Sequence, residues 1–425
     1  MSSPTAMIRP HRLTAFADWV QPRQGSRSRY MLLNAGWLCV VAALGLSLLG
    51  IVAIGSVPRP DEPDYAARHL QFTFIGMLAA LIVAVPHHRH VRRLSYLSML
   101  VVLGLLVFVL IPGVPESIVR PRNGARRWIT LPITDFQPSE LAKITYVLAL
   151  ACYLRVRANY RTMPGLLLPL VLTFIPMGLV VKEPDLGTGL VFLPTFFAVL
   201  LAAGAKLKHL CLIVVIGLAL APALYPVLQP HQQARIKAMI AQVVGDDQYD
   251  QDIGFQGDRA RTLVGAGGLA GVGRQKAAAL VRYNRLPEEH NDMVFAVICC
   301  RWGAFGAAAT WGLFGVLCIG GILVAGICRD PFGRLVAVGM VAIFFAQMTI
   351  NTGMTIGVLP ITGMTLPFVS YGGSSLVTAW VMIGLLFNIA MRRPGFSVRH
   401  SFEFDEPGED ETEYLVGEYR APRGA

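Results

Sequence analysis

Charge is scarce in this sequence: Asp, Glu, Lys and Arg make up 15% of its 425 residues, against roughly a quarter in a soluble domain. That shortage, with 54% hydrophobic residues and a mean hydropathy of +0.54, excludes an ordinary soluble globule and makes a lipid bilayer the expected solvent. Paired cysteine motifs are missing too. Cys39, Cys152, Cys211, Cys299, Cys300, Cys318 and Cys328 lie in or beside apolar runs without C-x-x-C spacing, so neither a disulfide framework nor a zinc site is expected. No internal repeat is present, which argues against the paired halves of many transporters. A removable signal peptide is not expected either. The first apolar run, about 31 to 55, follows Arg9, Arg12, Arg23, Arg27 and Arg29 but is too long for a signal-peptide core.

What the sequence has is apolar runs long enough to cross about 30 Å of hydrocarbon. They fall near 31 to 55, 71 to 86, 94 to 112, 138 to 154, 164 to 181, 187 to 204, 208 to 228, 292 to 327, 335 to 357 and 373 to 391. The expectation is an all-α polytopic membrane protein of about ten transmembrane helices. A net charge of +11 invites a nucleic-acid reading, but the excess sits in short loops that fall on one side of this count. The positive-inside rule explains it, places both termini in the cytoplasm, and leaves no role for nucleic acid. Residues 1–30 then form a basic tail, 31–391 the membrane domain and 392–425 an acidic, disordered tail. The longest connection, 229–291, lies between helices seven and eight on the extracytoplasmic side. It holds Asp246, Asp247, Asp250, Asp252 and Asp258 before a glycine-rich stretch, and its segments are expected as short helices at the bilayer surface.

Four polar constellations interrupt the apolar pattern. Arg120, Arg122, Arg126 and Arg127 sit on the exterior side, against the charge rule, followed by Trp128 and a helix carrying Glu140 and Lys143 one turn apart. The arginines are an exception to a statistical rule or an anion site. The Glu140 and Lys143 charges should face the protein interior and pair, either to lock helices or to meet a substrate. In VKEPDLGTG, Lys182, Glu183 and Asp185 form an outer turn; Asp185 either caps the next helix or holds another loop. In RYNRLPEEHNDMVFAV, Arg282, Arg285, Glu288, Glu289, His290 and Asp292 crowd the mouth of helix eight, where Asn291 or Asp292 is a helix cap or a catalytic group. The stretch NTGMTIGVLPITGMTLPFVSYGGSSL, with Ser370, is a set of tight turns or a re-entrant loop lining a polar cleft.

GARRWI with QPSELAK, then EPDLGTG, LPEEHNDMVFAV and NTGMTIGVLPITGMTLPFVSYGGSSL, in this order across 31–391, resemble the SEDS family of RodA, FtsW and SpoVE proteins. The resemblance implies a ten-helix fold and a peptidoglycan glycosyltransferase that joins lipid II units into glycan strands at the outer face of the bacterial cytoplasmic membrane. It puts Asp292 at the family's catalytic aspartate. Arg127, Trp128, Glu140, Lys143, Asp185, Lys276, His290 and Ser370 become substrate-binding candidates. Arg127 and Lys276 would stabilise the leaving diphosphate, directly or through a divalent cation, Mg2+ or Mn2+. A class B penicillin-binding protein is the implied partner, alongside lipid II, the nascent strand and membrane lipids.

The chain departs from the family just past Asp292, where Cys299, Cys300, Arg301 and Trp302 replace an acidic pair, so two negative charges have become one positive. Arg259-Ala260 stands for a Gln-Ser, and Asn291 for a threonine. A lipid II flippase and a non-catalytic scaffold are the rival readings. NTGMTIGVLPITG resembles RodA-like members and GMTLPF FtsW-like ones; the elongation assignment is favoured.

Overall fold

The computed structural model describes residues 34–57, 63–86, 88–121, 125–131, 135–157, 159–227, 230, 232–234, 236–237, 240 and 254–392. The basic N-terminal tail, Arg122, Asp246, Asp247, Asp250, Asp252 and the acidic C-terminal tail lie outside the described residues.

Helices follow from the solvent. In hydrocarbon every backbone amide must be satisfied within its own segment or by neighbouring protein. In chain order they are α1 (Gly36–Ile54), α2 (Tyr65–Ala84), α3 (His88–Leu110), α4 (Pro138–Leu154), α5 (Leu167–Lys182), α6 (Leu186–Ala203), α7 (Leu207–Leu224), α8 (Phe255–Gly267), α9 (Arg274–Asn284), α10 (Val294–Ile327), α11 (Pro331–Thr355) and α12 (Gly373–Met391). Eight of them are long and apolar enough to cross a membrane. Of the remaining expected spans, α4 has 17 residues and the apolar stretch of α7 is Leu207–Leu220.

Several helices begin earlier than their apolar runs, α2 and α3 most of all. The Asp64 carboxylate accepts the Ala67 amide at 3.0 Å, so α2 starts at Tyr65 and carries Arg68 and His69 inside the helix. Likewise α3 takes in the basic run from His88. Hydropathy marks the oily part of a helix, whereas the cap marks its end.

α1 packs on α10, α2 on α12, α3 on α4, and α6 on α11. Small residues permit the closest approaches: a side chain on Gly384 would strike the α2 backbone at Ala80, and one on Gly76 would meet the Trp380 ring at 2.7 Å. Alternation along the chain places Asp292 at the same end of the bundle as the 64–65, 137–138 and 183–185 segments. Arg155, Arg157, Lys206, Lys208, Arg329, Arg334 and Arg392 cluster at the opposite end.

α10 is broken. Gly303 has φ 64° and ψ −153° inside it, a conformation open to glycine. The backbone groups freed there are taken up by the turn between α8 and α9. Val272 N donates to Cys300 O at 3.0 Å, Gly273 N to Arg301 O at 3.2 Å, and Ala304 N to Gly268 O at 2.9 Å. The 254–291 part of the long connection thus folds back onto the bundle, with the α8 side chains Ala260 and Leu263 fully buried.

Candidate active site

Asp292 lies just before α10, 6% exposed. It does not cap that helix. The N-cap residue is Met293, which makes no side-chain capping bond, so the Asp292 carboxylate is engaged elsewhere than at the start of α10. Gln256, in the first turn of α8, points its side-chain amide at the carboxylate, with Nε2 3.2 Å from Oδ1 and 3.4 Å from Oδ2. The Asp292 backbone is held as well: Asn351 Nδ2 donates to Asp292 O at 2.8 Å and to Met364 O at 2.6 Å. One buried amide therefore ties the aspartate, the end of α11 and the 356–372 segment together.

That segment is irregular, yet Thr362, Met364, Leu366, Phe368, Val369 and Ser370 are all buried. It threads between helices, as a re-entrant loop would. His69 Nε2 bonds Phe368 O at 3.0 Å, and Gly50 of α1 leaves room only for the Val369 backbone. Ser370 Oγ accepts the Leu366 amide at 2.8 Å, so this hydroxyl shapes the loop.

His290 stacks on Tyr65, with ring centres 3.9 Å apart and planes 7° from parallel, and its carbonyl accepts the Tyr371 amide at 2.8 Å. Beside it Ile54, Val57, Asp64, Tyr65, Glu289 and His290 line a shallow indentation of about 30 Å3, apolar along α1 and polar along 289–290.

A second polar group gathers the other candidates. Arg127 Nε donates to Glu183 O at 2.7 Å and its terminal nitrogen to Pro184 O, while its guanidinium lies 5.8 Å from the Trp128 ring centre. Asp185 serves both roles weighed for it: Oδ1 caps α6 through Thr188 N at 3.1 Å, and Oδ2 accepts Gln137 Nε2 at 3.0 Å. Gln137 N also donates to Ser374 Oγ of α12 at 3.1 Å. Glu183 is fully buried and neither carboxylate oxygen has a hydrogen-bond partner among the described residues. Burial, reinforced by the Asp185 charge and opposed by Arg127, pushes its carboxyl up to about 9, so it is protonated near neutrality. Lys143 Nζ meets both Glu140 oxygens at 2.9 Å with both residues buried, as the cost of charge in hydrocarbon requires.

Lys276 is exposed on α9, three residues past Gly273, and so sits with the α10 break. Among the described residues no group of three or more His, Cys, Asp or Glu side chains could hold a metal ion. Gln256, Asn351, Gln137 and Tyr65 were not singled out from the sequence. Asn351 and Gln137 lie inside quoted motifs, whereas Gln256 and Tyr65 carry no local signal.

The comparisons with known proteins agree with this architecture. The family model for FtsW, RodA and SpoVE, described as "Cell cycle protein", matches residues 34–394. The chain is 32% identical over 375 residues to the probable peptidoglycan glycosyltransferase FtsW of Pseudomonas fluorescens, covering 86% of this chain and 89% of that protein. It is 32% identical to stage V sporulation protein E of Bacillus subtilis, covering 83% and 96%. Among solved structures, a chain from work described as "Structural coordination of polymerization and crosslinking by a peptidoglycan synthase complex" superposes with TM-score 0.70 at 32% identity, covering 83% and 96%. The rod shape determining protein RodA of Thermus thermophilus superposes with TM-score 0.60 at 29% identity, covering 83% and 95%. A match across nearly the whole membrane domain, joined to this bundle and its polar end, means that the chain belongs to the FtsW/RodA/SpoVE family.

Proposed function

We propose that this chain is a peptidoglycan glycosyltransferase that polymerises lipid II, with Asp292 as the catalytic base. The observation that carries this reading is the Asp292 carboxylate, 6% exposed and held by Gln256, two residues past His290, which lines the indentation at this end of the bundle. Relatives named as probable peptidoglycan glycosyltransferases support it.

In the reaction, Asp292 accepts the proton of the acceptor sugar's 4-hydroxyl as its oxygen attacks the anomeric carbon of the lipid-linked strand. The new glycosidic C–O bond forms as the bond to the diphosphate breaks, and undecaprenyl diphosphate leaves with the electron pair. The Gln256 amide holds the carboxylate on line for the hydroxyl. Arg127 supplies positive charge toward the diphosphate, although two of its donors are engaged by the Glu183 and Pro184 carbonyls. Trp128 and His290 are further substrate contacts in this reading, Glu140, Lys143, Asp185 and Ser370 hold the surrounding frame, and Lys276, at the α10 break, stands apart from them. A divalent cation, Mg2+ or Mn2+, would need substrate oxygens among its ligands.

The protein is a multi-pass membrane protein. The cationic end of the bundle faces the cytoplasm, with both termini, and Asp292 faces outward. A class B penicillin-binding protein is the partner that a synthase coordinating polymerization and crosslinking would supply. Elongation is favoured over division on the NTGMTIGVLPITG segment.

Polymerisation of labelled lipid II by purified protein, with and without its co-expressed transpeptidase, tests the reading. Strands from the wild type and none from Asp292→Ala sustain it. No product from either, with partner and divalent ions present, returns the chain to the scaffold or flippase readings.

A further inference from the structure

We propose that the break in α10 forms a binding site for the phosphate headgroup of an anionic phospholipid, in the leaflet at the Asp292 end of the bundle. The site is separate from Asp292 and does not depend on the reaction assigned to it.

Its centre is Arg301, in the stretch where the family resemblance led one to expect acidic residues. Arg301 sits two residues before Gly303, and the break lets its side chain cross to α1. There Nη1 donates to Val52 O at 2.9 Å, and the guanidinium lies 4.1 Å from the Trp302 ring centre. Val52 belongs to the last turn of α1, so Arg301 stands where hydrocarbon gives way to headgroups. The same turn that mends the break delivers a second cation. Gly273 N bonds Arg301 O, and the next residue, Arg274, is exposed and in electrostatic reach of Arg301. Lys276 follows, also exposed.

Two arginines in electrostatic reach repel each other, and a bound anion relieves that repulsion. Among the described residues no carboxylate forms an ion pair with Arg274, Lys276 or Arg301; the α8 carboxylate, Asp258, is paired with Arg261 at 3.6 Å. A phosphodiester suits the vacancy in charge, because guanidinium groups bind phosphate oxygens through paired donors and the ammonium adds a point charge. The apolar surroundings select a lipid over free phosphate. Leu269 and Phe305, joined by the Phe305 N to Leu269 O bond at 3.4 Å, are 76% and 71% exposed. They belong to the same turn and break as the cations, acyl chains would cover them, and Trp302 is the aromatic type favoured at the interface.

Native mass spectrometry of the full-length protein released from micelles containing equal phosphatidylglycerol and phosphatidylcholine tests the proposal. Wild type should retain phosphatidylglycerol preferentially. Arg274→Gln, an exposed position whose loss leaves the break intact, should lower that preference about fivefold, and Arg274→Gln with Arg301→Gln by a further comparable factor. Arg274→Lys should keep most of it. An unchanged preference in the Arg274→Gln protein would overturn the site, even where the double variant fails to fold. Displacement of the lipid by inorganic phosphate alone would overturn the lipid assignment. A preference seen only after Asp246, Asp247, Asp250 and Asp252 are changed to Asn would show that the chain's own acidic stretch occupies the surface instead.

Discussion

Gln256 and Asp292 stand 36 positions apart, yet the side-chain amide of one reaches both carboxylate oxygens of the other, at 3.2 and 3.4 Å. A neutral donor on a buried carboxylate fixes its orientation and favours its charged form. Gln256→Ala should therefore lower kcat for lipid II polymerisation roughly ten- to a hundredfold, the range of about 1.5–3 kcal/mol for a hydrogen bond to a charged group. A rate within twofold of wild type would reduce Gln256 to a packing residue.

Asp292→Asn keeps the shape of the site and removes the base. Polymerisation should fall about 10²- to 10⁴-fold, with thermal unfolding in detergent changed little, because Asp292 caps no helix. Activity near wild type would move the base elsewhere.

Glu183 makes a pH prediction whose sign is fixed by its raised folded-state value. The ordinary value is 4.5 and the folded one about 9, so the stabilising contribution is complete below 4.5 and is lost as pH rises toward 9. Glu183→Gln removes the ionisable group and keeps its shape. Unfolding temperatures of the two proteins should agree near pH 4.5 and diverge in the variant's favour up to pH 9. Parallel curves across that window would mean that Glu183 is charged in the folded protein.

The Glu140 and Lys143 pair predicts non-additivity. Lys143→Met leaves a buried carboxylate uncompensated and should cost about 3–5 kcal/mol, whereas Lys143→Met with Glu140→Gln should recover much of that loss. Denaturant unfolding of the single and double variants gives the coupling directly. Additive losses would show that each charge has its own partner.

Gly303→Ala forces a side chain into φ 64°, ψ −153° and against Leu269 O and Gly271 N of the turn that closes the break. Strain of this kind costs about 1–3 kcal/mol. The expected readout is a lower unfolding temperature with early proteolysis between α8 and α9; an unchanged unfolding temperature would mean that the turn gives way at no cost.

The sequence by itself determined the solvent, the helical class and the set of polar interruptions, because a backbone in hydrocarbon has few other solutions and each charge placed there needs a partner. It also determined the Glu140 and Lys143 pairing, since residues one turn apart on a helix share a face. Helix ends were less legible: α2 runs into polar sequence because the Asp64 cap and the His69 bond to Phe368 O hold its first turns, and α3 begins in its basic run. The tertiary structure alone decided how Gln256, Asp292, Asn351 and Met364 meet, and that the 268–273 turn repairs the break at Gly303. Those contacts join segments dozens of residues apart, and no local periodicity or spacing records which buried amide will satisfy which distant carbonyl or carboxylate.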